Sequence, residues 1–233
     1  MPLVDSVQCK IFRAKEHYDS FVAEAHRQLQ GYSGRLVVEV NAATNTFSPR
    51  FEDEPVLSKR LPLIIGDCIQ NIRSSLDYLV WELVLAANCQ PTERHAFPIC
   101  ETSDAFKACV KRNRLKGLSD DVITEIEALQ PYTEGKDFRA HVFWALDELC
   151  NISKHRRILL TRVKPGVARQ VPGSDKSTVV TKDIAGQMDM DTELVAFIAF
   201  NERGFENAPD VSAILSWMIE SVERILPNFD RFF

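Results

Sequence analysis

Apolar positions along the chain fall into a few long helical registers and several short extended runs. The longest register is Leu61–Ala87, LPLIIGDCIQNIRSSLDYLVWELVLAA. On a helix of about 3.6 residues per turn, Leu61, Ile65, Cys68, Ile72, Leu76, Leu79 and Leu83 share one side, widened by Ile69 and Val80. Spacing of this kind predicts a broad face buried against other elements. The opposite side carries Asp67, Asn71, Ser74, Tyr78 and Trp81, with Arg73 and Asp77 on its border at the four-residue spacing of an ion pair. Pro62 suits a first helical turn, and Asn88 suits a stop. Gly66 costs about 1 kcal/mol relative to alanine in a helix, and it permits close approach of another backbone. A polar stripe that includes Tyr and Trp has two readings. It is a contact surface for a partner helix, a second protomer or a ligand, or it is a set of polar groups satisfied within one domain.

The remaining registers are shorter. Asp5–Gln30 predicts a helix with Val7, Ile11, Ala14, Tyr18, Phe21, Val22, Ala25 and Leu29 inward, ended by Gly31 and Gly34. Arg35–Asn41 predicts a strand, Ala42–Asn45 a turn, and Thr46–Glu52 a second strand that Pro49 confines to an edge. Thr102 or Ser103 suits a cap for a helix over Ala105–Lys111, and Ser119 a cap for the next one, through Val122, Ile123, Ile126 and Leu129. Gln130-Pro131-Tyr132 stops that helix, and Asp137–Cys150 predicts another, with Phe138, Val142, Ala145, Leu146 and Leu149 inward. Ile158–Val163, Ser177–Lys182 and Leu194–Asn201 predict strands, the last apolar enough to be central, with a polar connection at Lys164–Lys176. Pro209–Phe229 predicts a closing helix with Val211, Ile214, Leu215, Met218, Val222, Ile225 and Leu226 inward. Helices outnumber strands and do not alternate with them. The expected class is α+β, a mainly helical body with a small antiparallel sheet, in a single domain over residues 1–233.

Composition narrows the function. The 233 residues carry a formal net charge of −5, which argues against a broad footprint for duplex DNA or an anionic membrane. Only Lys107–Lys116 and Lys154–Arg157 form local basic runs. The six cysteines include no C-x-x-C pair, so a zinc ribbon is not expected. The N-terminus has no apolar signal core, and no apolar run reaches the roughly 18 residues of a membrane span. These features predict a soluble, reduced, cytoplasmic protein.

Two polar constellations carry candidate chemistry. The first is Asp67, Asn71, Arg73, Asp77 and Tyr78 on the central helix. The second is Asn151-Ile152-Ser153-Lys154-His155-Arg156-Arg157, at the end of a helix. Its cations either complement the negative helix end, or form an anion site in which Lys154 and Arg156 neutralise charge and His155 moves a proton. Strand-like alternation beyond the helix would separate His155 from Lys154 and Arg156. The histidines form no H-x-x-x-H or H-E-x-x-H, so no metal is expected. Glycine-rich nucleotide loops and the G-x-S-x-G elbow are absent too, and no cofactor is expected.

The four segments GDCIQNIRSSLDYLVWEL, FPI at Phe97–Ile99, QPY at Gln130–Tyr132 and NISKHR at Asn151–Arg156 resemble a bacterial and phage protein family with no assigned activity. Its pattern is GD-x-x-x-N-[LI]-R-S-x-L-D-[HY], then F-P-I, Q-P-Y and D-K-H-R, and here it spans residues 66 to 156. The central helix also resembles the HEPN superfamily of helical bacterial nucleases and nucleotide-binding proteins, marked by R-x4-6-H with a polar residue after the Arg. In its ribonucleases, Arg and His meet at a dimer interface and cut RNA without a metal. Arg73 matches the Arg and Ser74 the polar residue, but Tyr78 stands in place of the His. A tyrosine, with a pKa of about 10, is a poor general base at neutral pH.

Two functional expectations follow. One is a helical, homo-oligomeric binding protein, most simply a dimer, that uses the polar-aromatic face of the central helix. The other is a HEPN-like, metal-independent ribonuclease or nucleotide-acting enzyme with Arg73, Asp77 and His155 catalytic. In either case Asp67, Asn71, Tyr78, Lys154 and Arg156 are the candidate ligand-binding residues.

Overall fold

The apolar register of the central segment becomes the buried side of a 27-residue helix. The protein is described by a computed structural model over residues 5–32, 34–41, 46–170, 177–180, 192–205 and 209–233. In order, the elements are α1 (Asp5–Leu29), β1 (Leu36–Asn41), β2 (Thr46–Phe51), α2 (Arg60–Ala86), α3 (Ser103–Lys111) and α4 (Asp120–Ala128). A 3₁₀ segment (Pro131–Ala140) leads to α5 (Val142–His155). Then come β3 (Thr161–Gln170), β4 (Ser177–Val180), β5 (Thr192–Phe200), α6 (Val211–Ile225) and a closing 3₁₀ segment (Leu226–Phe232). The class is α+β, mainly helical with small antiparallel sheets.

The chain forms two compact units. The first draws on Met1–Asp19, Ile64–Ile158 and Leu215–Phe233, and is helical. Its core holds Ile65, Cys68, Ile69, Ile72, Leu76, Leu79, Val80 and Leu83 of α2, all buried as the register requires. Val7, Ile11 and Ala14 of α1, Phe143, Leu146 and Leu149 of α5, and Leu215, Met218 and Val222 of α6 are buried with them. The Phe97 and Phe143 rings meet edge to face, with centroids 5.9 Å apart.

The second unit, Ser20–Leu63 with Leu159–Ile214, carries the strands. β1 and β2 pair antiparallel, with Val38 opposite Pro49, and form a two-stranded sheet in which every strand is an edge. The other sheet has the order β4-β3-β5, all antiparallel. Val163, Phe197, Ile198, Ala199 and Phe200 are among its buried side chains.

Several boundaries differ from the sequence expectation. β3 begins three residues later than Ile158 and continues to Gln170, through much of the expected connection. It is β3 and not β5 that lies in the centre. Pro165 stands opposite Ala196 of β5, and the described pairing of β3 with β4 covers Val167 to Gln170. The expected helix over Asp137–Cys150 instead starts at Val142 and runs to His155. Gly135 at φ 64° and an extended His141 block an earlier start, and the His141 ring Nδ1 accepts the Phe143 amide at 3.1 Å as a cap. The helix continues because Ile152 extends its buried face. In α1, Val22 is exposed and Glu24 is buried, where it accepts hydrogen bonds from Arg27 and Gln28. The closing helix gives way to 3₁₀ geometry at Leu226, next to Pro227. Thr102 caps α3 and Ser119 caps α4. The turn at Ala42–Asn45 and the strand end at 181–182 lie outside the described residues.

Candidate functional site

Arg73 and Asp77 stand one turn apart on α2, and the geometry joins them at 2.6 Å between Nη1 and Oδ1. Arg73 Nη2 donates to the Phe97 carbonyl at 2.8 Å, and Asp77 Oδ1 accepts the Phe97 amide at 2.9 Å. The pair therefore grips both main-chain polar groups of one residue in the loop after α2. Arg73 is only 8% exposed, so its guanidinium faces inward.

The same loop is fastened at two further points. The Gln130 side chain, fully buried, accepts the Cys100 amide at 3.0 Å and donates to the carbonyls of Pro98 at 2.9 Å and Ile126 at 3.0 Å. His95 Nδ1 accepts the Thr92 amide at 2.8 Å, and its Nε2 lies 2.9 Å from the Lys116 carbonyl. An amide can only donate and a carbonyl only accept, so in these two contacts Nδ1 is the acceptor and Nε2 the donor.

α5 supplies the other wall. Asp147 Oδ1 lies 3.7 Å from Arg73 Nε, and Asp147 Oδ2 accepts from Asn151 at 2.9 Å. Burial raises the Asp147 carboxyl above its ordinary range, against the pull of Arg73 and Asn151. Cys150, one turn on, donates its thiol to Gln70 of α2 at 3.5 Å. Burial raises that thiol as well, against the downward pull of Lys154 and Arg73. α5 packs close to α2 at Gly66, where a Cβ would stand 2.8 Å from Ser153 Oγ.

The four motifs thus meet in one place. The first gives Arg73 and Asp77, the second is the backbone they hold, the third gives Gln130, and the fourth gives the Asn151 that fixes Asp147. Asp147, Cys150 and Gln70 were not among the expected site residues. The signal for Asp147 is its four-residue spacing to Asn151, which becomes meaningful only once α5 is known to continue past Cys150.

The other expected residues are placed differently. Asn71 donates to the Asp67 carbonyl of its own helix at 2.8 Å. Asp67 is exposed and raises the pKa of His17 on α1, against the dominant lowering by burial and by Arg13. Tyr78 is 40% exposed beneath the Lys10 ammonium, which lies 5.4 Å from the ring centroid. Residues Asn151–His155 are helical and not strand-like, so the helical period sets their faces. Arg156 pairs with Glu148 at 3.2 Å. His155 is exposed. It sits eight positions beyond Asp147, about 12 Å along the helix axis. Among the described residues no hydrogen bond or ion pair joins it to Arg73.

Among the described residues no group of three or more His, Cys, Asp or Glu is arranged to hold a metal ion. No described helix is long and apolar enough to cross a membrane. No family model matches the chain, nor does any curated protein or any solved structure.

Proposed function

We propose that this chain is a helical interaction protein that pairs with a second copy of itself through the outer face of α2. The observation that carries this reading is an apolar ridge on a helix whose other side is fully buried. Tyr78, Trp81 and Leu85, at the i, i+3, i+7 spacing, are 40%, 41% and 43% exposed. Aromatic side chains held at the surface of a rigid helix are the usual anchors of an interface. A two-fold interface must also be self-complementary. Lys10 of α1 borders the ridge on one side, at Tyr78, while the carboxylates of Asp77 and Asp147, each about one-third exposed, follow the Arg73 side of α2. Two copies related by a two-fold axis would bring the basic border of one towards the acidic border of the other.

Sedimentation equilibrium of the full chain tests this, alongside Trp81→Glu. The expected result is a dimer for the unchanged chain and a monomer with unaltered circular dichroism for the variant. A monomer at about 100 μM for the unchanged chain overturns the reading.

A second reading rests on a narrower observation, that Asn151 of the fourth motif holds Asp147, whose other carboxylate oxygen lies 3.7 Å from Arg73 of the first. It is a metal-independent ribonuclease or nucleotide-acting enzyme of the HEPN type. Cleavage of a mixed RNA pool in chelator, abolished by both Arg73→Ala and His155→Ala in folded protein, would favour it over the first.

A further inference from the structure

Six thiols are free in this chain, and two of them face each other. Cys100, in the loop gripped by Gln130, and Cys109, in α3, are in thiol–thiol contact, with their sulfurs 3.7 Å apart. Each of the other buried thiols donates elsewhere: Cys68 to the Ala14 carbonyl and Cys150 to Gln70. We propose that Cys100 and Cys109 form a reversible dithiol–disulfide pair, a site of oxidative modification that ties the loop after α2 to α3.

The two sulfurs are already in van der Waals contact. A sulfur–sulfur bond is about 2.0 Å long, so closure requires the two sulfurs to approach by about 1.7 Å from their 3.7 Å contact. The two residues differ in access, with Cys100 buried and Cys109 partly exposed, so an oxidant in solution reaches Cys109 first. Taking a peroxide as that oxidant, the Cys109 thiolate attacks one peroxide oxygen. The O–O bond breaks, giving the sulfenic acid, and the leaving hydroxide takes up the proton that the Cys109 thiol had released and departs as water. The Cys100 sulfur then attacks the Cys109 sulfur and the S–O bond breaks. The leaving hydroxide takes up the Cys100 proton as a second water. Two thiols and one peroxide become a disulfide and two waters. Burial, and secondarily the Cys109 neighbour, push the Cys100 thiol up to about 12, so Cys100 is poorly suited to meet the oxidant first.

The test treats the freshly reduced full chain with one equivalent of hydrogen peroxide, blocks remaining thiols and digests with trypsin. The expected product is peptide His95–Lys107 joined to peptide Ala108–Lys111, lighter by two hydrogens than the two apart and separated again by dithiothreitol. Cys109→Ser, a change at a partly exposed position, should lose the link while keeping its circular dichroism. In Cys100→Ser the sulfenic acid has no resolving partner, so dimedone labelling of Cys109 should rise about tenfold over the unchanged chain. Oxidation of Cys109 to the sulfinic acid with no linked peptide overturns the proposal. So does a dominant link from Cys109 to Cys89 or Cys150, or equal dimedone labelling in the two proteins.

Discussion

The guanidinium of Arg73 donates to the main-chain carbonyl of Phe97 at 2.8 Å, while the carboxylate that Arg73 binds, Asp77, accepts the amide of that same residue. One ion pair on α2 thereby does for Phe97 what a strand partner would do for it in a sheet. Both main-chain groups of a buried residue are satisfied without secondary structure.

Removing the guanidinium leaves the Phe97 carbonyl unpaired in a buried place and Asp77 without its cation. Arg73→Met should lower the unfolding free energy by about 3 kcal/mol. Arg73→Lys should cost about 1–2 kcal/mol, because a single ammonium cannot reproduce the fork that reaches carboxylate and carbonyl together. Urea denaturation measures both, and hydrogen exchange at the Phe97 amide should quicken in step. Exchange at Phe97 unchanged in Arg73→Met would show that the loop does not depend on this clamp.

Gln130 is the second clamp, and it uses three polar contacts with no charge at all. Gln130→Met keeps the side chain's volume while leaving the Cys100 amide and the Pro98 carbonyl without partners. It should cost about 3 kcal/mol by the penalty for buried unpaired groups. Gln130→Glu keeps one acceptor for the Cys100 amide but, when ionised, turns a carboxylate towards two carbonyls. It should be less stable still at neutral pH and recover as the pH falls and the carboxyl protonates. If Met and Glu cost the same at every pH, the hydrogen bonds are not what matters at this position.

Much of this was legible in the chain before folding. The buried face of α2, the Arg73–Asp77 pair and the caps at Thr102 and Ser119 follow from spacing and residue type, because they depend on neighbours within one or two helical turns. What could not be read was where Arg73 points next. Its second partner is a carbonyl 24 positions along the chain, and main-chain groups leave no mark in a sequence. Gln130 stood inside a recognised motif, yet its role also lies in carbonyls and an amide. The α5 boundary misled the reading of Asn151–Arg157, since a stop at Cys150 hides the Asp147–Asn151 spacing. The central position of β3 was missed because Lys164, Pro165 and Gly166 look like a loop, yet all three pair with β5.

Gly66 and Ser153 should show coupling of a definite sign. An alanine at Gly66 ought to gain about 1 kcal/mol of helix propensity in the interior of α2. Its Cβ, however, would lie 2.8 Å from Ser153 Oγ and 3.9 Å from Ser153 Cβ, so the hydroxyl is the obstacle and the rest of the side chain is not. Gly66→Ala alone should gain little or lose stability, because the hydroxyl must rotate away. Gly66→Ala with Ser153→Ala should recover the gain. A double-mutant cycle by urea denaturation reads the coupling directly. Additive effects would mean that the Ser153 hydroxyl does not obstruct a side chain at position 66.

Asp147 gives a pH dependence whose sign follows from its surroundings. Burial raises its carboxyl above the ordinary value of 3.8 despite Arg73 and Asn151. A carboxyl whose folded pKa exceeds its unfolded pKa is protonated more readily in the folded chain. Its contribution to stability is therefore fully present below the unfolded pKa and is lost as pH rises through the folded one. Asp147→Asn mimics the protonated form, keeps an oxygen to accept from Asn151, and does not titrate. Stability of the unchanged chain minus that of the variant should fall as the pH rises from about 4, the range of an unfolded aspartate, other carboxyls cancelling in the difference. Urea denaturation of both proteins from that pH upward measures it. A difference that rises with pH would mean that the ion pair with Arg73 at 3.7 Å outweighs the cost of taking the carboxylate out of water.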